Sequence, residues 1–351
     1  MTERSTPIVS VVTAVHNGAA YLREAIDSIL GQTLSAWELV VVDDGSTDDS
    51  GAILAEYAAA DSRIRVVHTP HRGYASSLNA GVALTQTPFV ARLDADDSAF
   101  PRRLEAQLAR LQSDSRLGVL GGAVVFVDTA GRQFAEARYP LDDEGIRSAF
   151  TRTTPFVHSA VTMRRDAFEA AGGYRPAFAA AEDLDLWLRI PPTFTLANLE
   201  EPVVRYRVHV DQMSLTQLDR QAAAAAAARH SARGRSGGDD PLALAVTLDP
   251  DTLRAAGVSP RDVTHELVHN AVWLGRTLAR AGDRSAAEQL FARATSEARS
   301  QSGSPMLTAL VYDQLSRRRV EEGRRAAALG WRTRAVLKRA VRRVNRASGA
   351  G

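Results

Sequence analysis

Three tight groups of carboxylates are the residues of this chain best able to do chemistry. Asp43-Asp44-Gly45-Ser46 follows the apolar run Leu39–Val42, and Asp94-Ala95-Asp96-Asp97 follows Phe89–Leu93. Glu182-Asp183-Leu184-Asp185 opens a segment of helical spacing that carries Trp187. Acidic residues at a helix start are common caps, because they satisfy free amide groups and the positive end of the dipole. Two such groups at the carboxyl ends of strands in one sheet are harder to explain as caps. They crowd negative charge along one edge, which destabilises the fold unless a cation or ligand offsets it. The chain has no cysteine, which excludes disulfide scaffolds, thiolate metal sites and cysteine nucleophiles. Hard oxygen ligands alone point to magnesium or manganese, which combine a few carboxylates with substrate phosphates.

A rival signal is His265-Glu266-Leu267-Val268-His269, the HExxH pattern of zinc hydrolases, with Glu288 downstream as a third ligand. If Ala281-Gly282-Asp283 is a tight turn between antiparallel helices, Glu288 falls opposite Arg276. That is about 10 Å along the helix axis from His269, at 1.5 Å per residue. Zinc ligands converge at about 2 Å from the ion, so this hairpin does not close a site. Leu267, Ala271, Leu274 and Leu278 form the apolar face and leave both histidines on the polar side. No G-x-G-x-x-G follows the first strand, which argues against a dinucleotide-binding oxidoreductase.

The elements that must position these groups follow a regular rhythm. A chain of 351 residues predicts about two domains. Apolar runs at Ile8–Val15, Glu38–Val42, Ile64–His68, Phe89–Leu93 and Leu117–Val127 alternate with helical patterns at Tyr21–Leu30, Ser50–Ala60, Ser76–Leu84 and from Pro101 onward. Near-continuous apolar strands alternating with amphipathic helices predict a mostly parallel sheet covered on both faces. Ligands then bind beyond the carboxyl ends of its strands. From Pro155 the rhythm becomes mixed, and after the Gly-rich stretch Arg233–Pro241 every segment reads as helix. Trp273–Ala294 resembles one tetratricopeptide-type hairpin. The longest apolar run, Leu117–Val127, is too short to span a membrane.

At this point the motifs become recognisable as a set. VSVVTAVHNGAAYLREAIDSILGQT, WELVVVDDGSTDDS, FVARLDADD and AEDLDLWLRI, in this order over Pro7 to Ser214, resemble the inverting family 2 glycosyltransferases. That resemblance implies the GT-A nucleotide-diphospho-sugar transferase fold, an α/β sheet flanked by helices, here followed by an all-helical region. It implies transfer of a sugar from a nucleotide-diphosphate donor to a glycan or lipid-linked acceptor, in cell-envelope polysaccharide or glycolipid synthesis. By its motifs, Ala14, His16, Asn17 and Asp44 hold the nucleotide, with Asp44 toward the base. Asp96 ligates a magnesium or manganese ion on the diphosphate, and Asp94 faces the ribose or a metal-bound water. Asp183 aligns with the catalytic base, with Glu182 beside it on the acceptor side. His209 matches a late histidine that completes the metal site, against the alternative of an exposed loop histidine. His158 matches a position near the acceptor, against a packed structural histidine, and Trp187 is either a sugar platform or core.

Two departures affect the donor pocket. His16 stands where relatives often place an aromatic, and His71-Arg72-Gly73 replaces Asn-x-Gly, which brings Arg72 toward the nucleotide or its phosphates. No Gln-x-x-Arg-Trp motif of processive synthases is present, so single-sugar transfer is expected. A non-catalytic nucleotide-sugar or glycan-binding module is the competing class, since fold alone does not prove turnover.

The formal charge of +2 hides an asymmetry: twelve Arg and Lys face only Glu321 and Glu322 between Arg317 and Arg346. Trp331, Ala335, Leu337, Val341 and Val344 form an apolar stripe among them. A basic amphipathic helix of this kind suits an anionic membrane surface, with packing on the protein's own acidic part as the alternative. Nucleic acid is not expected as a partner. The expected organisation is a GT-A domain over 1–215, a helical and Gly-rich connector over 216–240, a helical region over 241–316 that is a candidate homo-oligomer contact, and the basic tail over 317–351. The expected location is cytoplasmic, peripheral on the inner face of the membrane.

Overall fold

A computed structural model describes residues 6–236 and 240–300. The basic tail, 317–351, lies outside them. The chain divides into two compact units, the first comprising residues to Val208 together with Ala227–Leu248, the second His209–Ala226 with the residues from Asp249.

In the first unit the expected alternation forms β1 (Val9–Val15), α1 (Ala19–Leu30), β2 (Trp37–Asp43), α2 (Ser50–Ala60), β3 (Ile64–His68), α3 (Tyr74–Ala83) and β4 (Phe89–Arg92). Then come β5 (Ser98–Ala99), α4 (Arg103–Ser113), β6 (Leu117–Val127), β7 (Gln133–Ala137), α5 (Asp143–Ala149), β8 (Thr162–Arg164), α6 (Arg165–Ala170), α7 (Glu182–Arg189) and β9 (Thr195–Arg207). The sheet runs β3-β2-β1-β4-β8-β6-β9-β5, with β7 beside β6. β3, β2, β1 and β4 are mutually parallel, as their uninterrupted apolar sequences require. β8 enters antiparallel between β4 and β6, so the sheet is mixed rather than a simple parallel series. The sequence predicts a strand over Ser159–Met163; its first part forms a 3₁₀ turn, His158–Ala160, and the strand itself is the shorter Thr162–Arg164. β9 is longer than the Val203–Val208 segment expected, because its first half pairs with β6 despite the charged Glu200-Glu201.

Every residue of β1, β4 and β6 is buried. α3 packs close on β1 and β2: a Cβ added to Gly81 would meet Val12 Cγ1 at 2.6 Å, so only glycine allows this approach.

The second unit is helical: α8 (Met213–Thr216), the first part of α9 (Leu218–Ser236), α10 (Pro250–Ala255), α11 (Pro260–Ala281) and α12 (Arg284–Ser300). α9 is alanine-rich, and alanine has the lowest intrinsic cost in a helix. α11 starts on a Ser259 cap with Pro260 at its first turn and ends at Gly282, whose φ of 100° is the left-handed geometry of a helix stop. Val268, Ala271, Val272, Leu274, Ala294 and Ala298 pack with Leu218. The HExxH segment belongs to this packing. Glu266, which zinc hydrolysis would need beside the metal, is buried on the helix with Leu267 and Val268, and Glu288 is exposed. Among the described residues no helix is long and apolar enough to cross a membrane.

Candidate active site

β1 and β2 end level, Val15 pairing with Asp43, and β4 runs parallel beside β1 and ends at Arg92 opposite Val12. The His16-Asn17 turn, the Asp43-Asp44 turn and Asp94 therefore leave the sheet side by side.

Asp44 anchors one side of this edge. It is buried, its N–H donates to Val15 O (2.8 Å), and its carboxylate accepts from the N–H groups of Arg72 (2.7 Å) and Gly73 (2.9 Å). Burial pushes its pKa up, but these amides and Ser77 outweigh it and hold the carboxyl below the ordinary value. Gly73 is at φ 90°, which lets the loop turn both amides onto one carboxylate. Nδ1 of His16 (2.9 Å) and Nδ1 of His71 (3.1 Å) both donate to the Asp44 carbonyl oxygen. The two rings lie with centroids 4.4 Å apart. Asn17, at φ 55°, accepts from Thr47 N–H (2.8 Å) through Oδ1 and donates its own N–H to Ser46 Oγ (3.0 Å). The Asp44 carboxylate is engaged by the Arg72 and Gly73 amides, and the His16 and His71 rings beside it are exposed. The Arg72 side chain is exposed, and its backbone is what ties it to the site.

Arg92 organises the other side. It is fully buried at the end of β4 and donates to the Val12 and Leu93 carbonyls, to the Tyr74 hydroxyl (2.5 Å) and to Asp94 Oδ1 (2.5 Å). Asp94 Oδ1 also accepts from Tyr74, and Oδ2 accepts from Ser159 Oγ (2.8 Å). Burial raises the Asp94 pKa, and the Arg92 charge, with the hydrogen bonds, brings it below the usual carboxylate value. Asp96 is half-buried, and its carbonyl accepts from Arg207 Nε (3.0 Å). Asp97 Oδ1 accepts from Arg207 N–H (2.8 Å), while its Oδ2 is buried without a partner. Burial, then the charges of Asp96 and Asp94, push the Asp97 pKa well up.

Glu182 and Asp183 start α7 two and three residues after Ala180, whose φ of 75° is a strained conformation for a non-glycine residue. Burial raises Glu182 to about 8, helped by the charge of Asp183, and its Oε2 has no hydrogen-bond partner. Burial raises Asp183 to about 6, and the charge of Asp94 adds to this, which brings α7 and the β4 end into one electrostatic site. Asp183 Oδ1 accepts from Leu184 N–H (2.7 Å). Asp185 differs in kind: it is fully buried and paired with Arg175 and with Arg189 (2.7 Å).

The raised Glu182 pKa predicts a pH-dependent stability. The native state holds a proton there that the unfolded state loses above about 4.5, so this carboxyl destabilises increasingly as pH rises toward 8. Glu182→Gln should match the wild type in urea unfolding near pH 4 and exceed it by roughly 1–3 kcal/mol at pH 8. Equal stabilities at both pH values would contradict the raised value.

His158 is buried, and its Nε2 accepts from Arg92 Nε (3.2 Å) and the Tyr174 hydroxyl (2.7 Å). A guanidinium only donates, so the ring proton sits on Nδ1; burial, then Arg92, pushes the pKa down to about 3. His158 is thus packed and satisfied. Trp187 is fully buried against Phe156 and His158, in the core rather than on an open platform. His209 follows β9 at the start of the second unit, its N–H donating to Gln212 Oε1 (3.1 Å). Sequence reasoning missed Arg92, Tyr74, His71, Tyr174 and Arg207. A charge inside the apolar strand Phe89–Leu93 was the legible signal for Arg92.

Among the described residues no three histidine or carboxylate side chains are placed as a ready-made metal cage. Asp96 as a lone hard ligand fits magnesium or manganese, which take one or two carboxylates and fill the remaining positions from water and phosphate. It does not fit zinc, which takes at least three protein ligands.

A mixed sheet of this order, with carboxylates at the end of β4 and a carboxylate pair opening α7, has the GT-A fold of nucleotide-sugar transferases. The chain belongs to glycosyl transferase family 2, whose family model matches residues 10–172. EpsE of Bacillus subtilis, described as a glycosyltransferase, is 36% identical over 212 residues, covering 59% of this chain and 75% of EpsE. WbnJ of Escherichia coli, an O-antigen biosynthesis glycosyltransferase, is 31% identical over 214 residues, covering 60% of this chain and 83% of WbnJ. The fold is similar to S. aureus TarS 1-349 in complex with UDP, with a TM-score of 0.50 and 16% identity over 80% of this chain and 89% of that one.

Proposed function

We propose that this chain moves a glycosyl residue, with inversion, from a nucleotide-diphosphate donor to an acceptor hydroxyl in polysaccharide synthesis. The observation that carries this reading is that Asp94 lies within electrostatic reach of the Glu182-Asp183 pair, where burial, then the Asp94 charge, raises Asp183 to about 6. A carboxylate so tuned is ionised at neutral pH yet basic enough to take a proton as the acceptor oxygen attacks. The acceptor O–H proton goes to Asp183, its oxygen bonds to the anomeric carbon, and the bond to the nucleoside diphosphate breaks. Single displacement inverts the centre and needs no covalent nucleophile. The exposed His16 and His71 rings offer a stacking face for the base, and Asp94, pinned by Arg92, is oriented toward the ribose. Asp96 would hold the magnesium or manganese ion, which supplies positive charge for the departing diphosphate. Support for a polysaccharide product comes from relatives, among them an amylovoran biosynthesis glycosyltransferase of Erwinia amylovora at 31% identity.

The test is thermal stabilisation by UDP and GDP with and without manganese, since a ligand that binds the native state raises apparent stability by mass action. A manganese-dependent shift is expected, and Asp96→Ala should lose the manganese-dependent part. No shift with either nucleotide in manganese would overturn the donor-site assignment.

A further inference from the structure

We infer that Tyr74 is a positioning residue that couples occupancy of the nucleoside pocket to the Asp94 carboxylate. This rests on the donor-site reading above and extends it to a residue outside the family motifs. Four consecutive residues touch both halves of the site. His71 closes on the Asp44 carbonyl, the Arg72 and Gly73 amides are clasped by the Asp44 carboxylate, and Tyr74 then sends its hydroxyl to Asp94 Oδ1. The hydroxyl hydrogen goes to the carboxylate, and its oxygen accepts from Arg92 Nη2 at 2.5 Å.

The surrounding structure leaves this link little slack. α3, which Tyr74 opens, is pressed on β1 at Gly81, and Asn79 on the same helix is bonded in both directions to the backbone of Tyr174 (2.7 and 2.9 Å). Arg92 is fixed by two backbone carbonyls. A ligand that stacks on His16 and His71 and seats residues 71–73 therefore also seats the Tyr74 hydroxyl. That hydroxyl sets the orientation of Asp94, on the same β4 turn as Asp96. Coupling of this kind is reciprocal: nucleotide and metal ion each tighten the other by one factor.

Removing the hydroxyl while keeping the ring isolates the effect. UDP and GDP binding is measured calorimetrically with and without manganese in the wild type, Tyr74→Phe, Asp94→Asn and the double variant. In Tyr74→Phe the gain in nucleotide affinity on adding manganese should fall about tenfold. Its manganese-free nucleotide affinity should fall by a smaller factor than the manganese gain does, whereas a general structural defect would lower both alike. On the Asp94→Asn background the Tyr74 change should have no further effect, because residues acting through one another are not additive. An undiminished manganese gain in Tyr74→Phe, or an equal loss with and without Asp94, overturns the coupling. If the wild type shows no manganese gain with either nucleotide, the donor-site reading fails and this inference fails with it.

Discussion

Asp183→Asn should lower the rate of transfer by about 10²- to 10⁴-fold, the range for removing a positioned general base. It should leave nucleotide binding close to wild type, because in the proposed reaction the base acts on the acceptor. Both follow from the position of Asp183 at the start of α7, with Oδ1 held by Leu184 N–H. The wild-type pH profile carries a second signature. Burial and the Asp94 charge bring the Asp183 pKa up to about 6, and the reaction needs the ionised form. Turnover should therefore fall as pH drops through about 6, approaching tenfold per unit below it. A profile flat from pH 7 to 4, or a variant that loses nucleotide affinity as steeply as turnover, would remove Asp183 from this role. Full loss of transfer in Asp96→Ala with Asp183→Asn still active would likewise reassign the proton transfer. A wild-type chain that binds UDP or GDP yet transfers nothing to any tested acceptor would favour the binding-module alternative.

The parallel half of the fold was legible because burial on both faces leaves one kind of sequence. Runs such as Leu39–Val42 and Leu117–Val127 admit few alternatives to a covered strand, and all their residues are buried. The antiparallel entry of β8 between β4 and β6 and the first half of β9 were not legible. Each is held by its neighbours in the sheet, a tertiary effect that local pattern does not record. The same divide runs through the site. The acidic motifs stand out in sequence, since carboxylates at strand ends need an explanation. Their partners do not, because Arg92 and Tyr74 gain meaning only from a network whose bonds join positions 18 and 66 residues apart. Within Glu182-Asp183-Leu184-Asp185 the family resemblance singled out Asp183, but local pattern did not show that Asp185 is a structural ion-pair residue. The helix does so by its geometry: Asp183 is left half-buried at the site, whereas Asp185 turns into the core.

That sorting yields the largest stability effect expected. Asp185→Asn should destabilise the protein by about 3–5 kcal/mol in urea unfolding, the range for leaving buried charges uncompensated. Asp185 is fully buried, and its two oxygens face Arg175, 16% exposed, and Arg189, 9% exposed. Arg175 keeps Asp240 at 3.1 Å, and Arg189 keeps the carbonyls of Ala171 and Gly173, but neither retains full neutralisation. The contrast with its neighbours is one of sign. Neutralising Glu182, whose pKa is raised, stabilises at alkaline pH, whereas neutralising Asp185 destabilises because its charge balances two guanidinium groups. Replacing the pair together, as Asp185→Leu with Arg189→Met, should recover part of the loss, since apolar groups of similar volume can substitute for a buried ion pair. A loss below about 1 kcal/mol in Asp185→Asn would place the cluster with exposed ion pairs, which contribute little. Asp185 would then no longer be the anchor that fixes α7, and the orientation of Asp183 would need another cause.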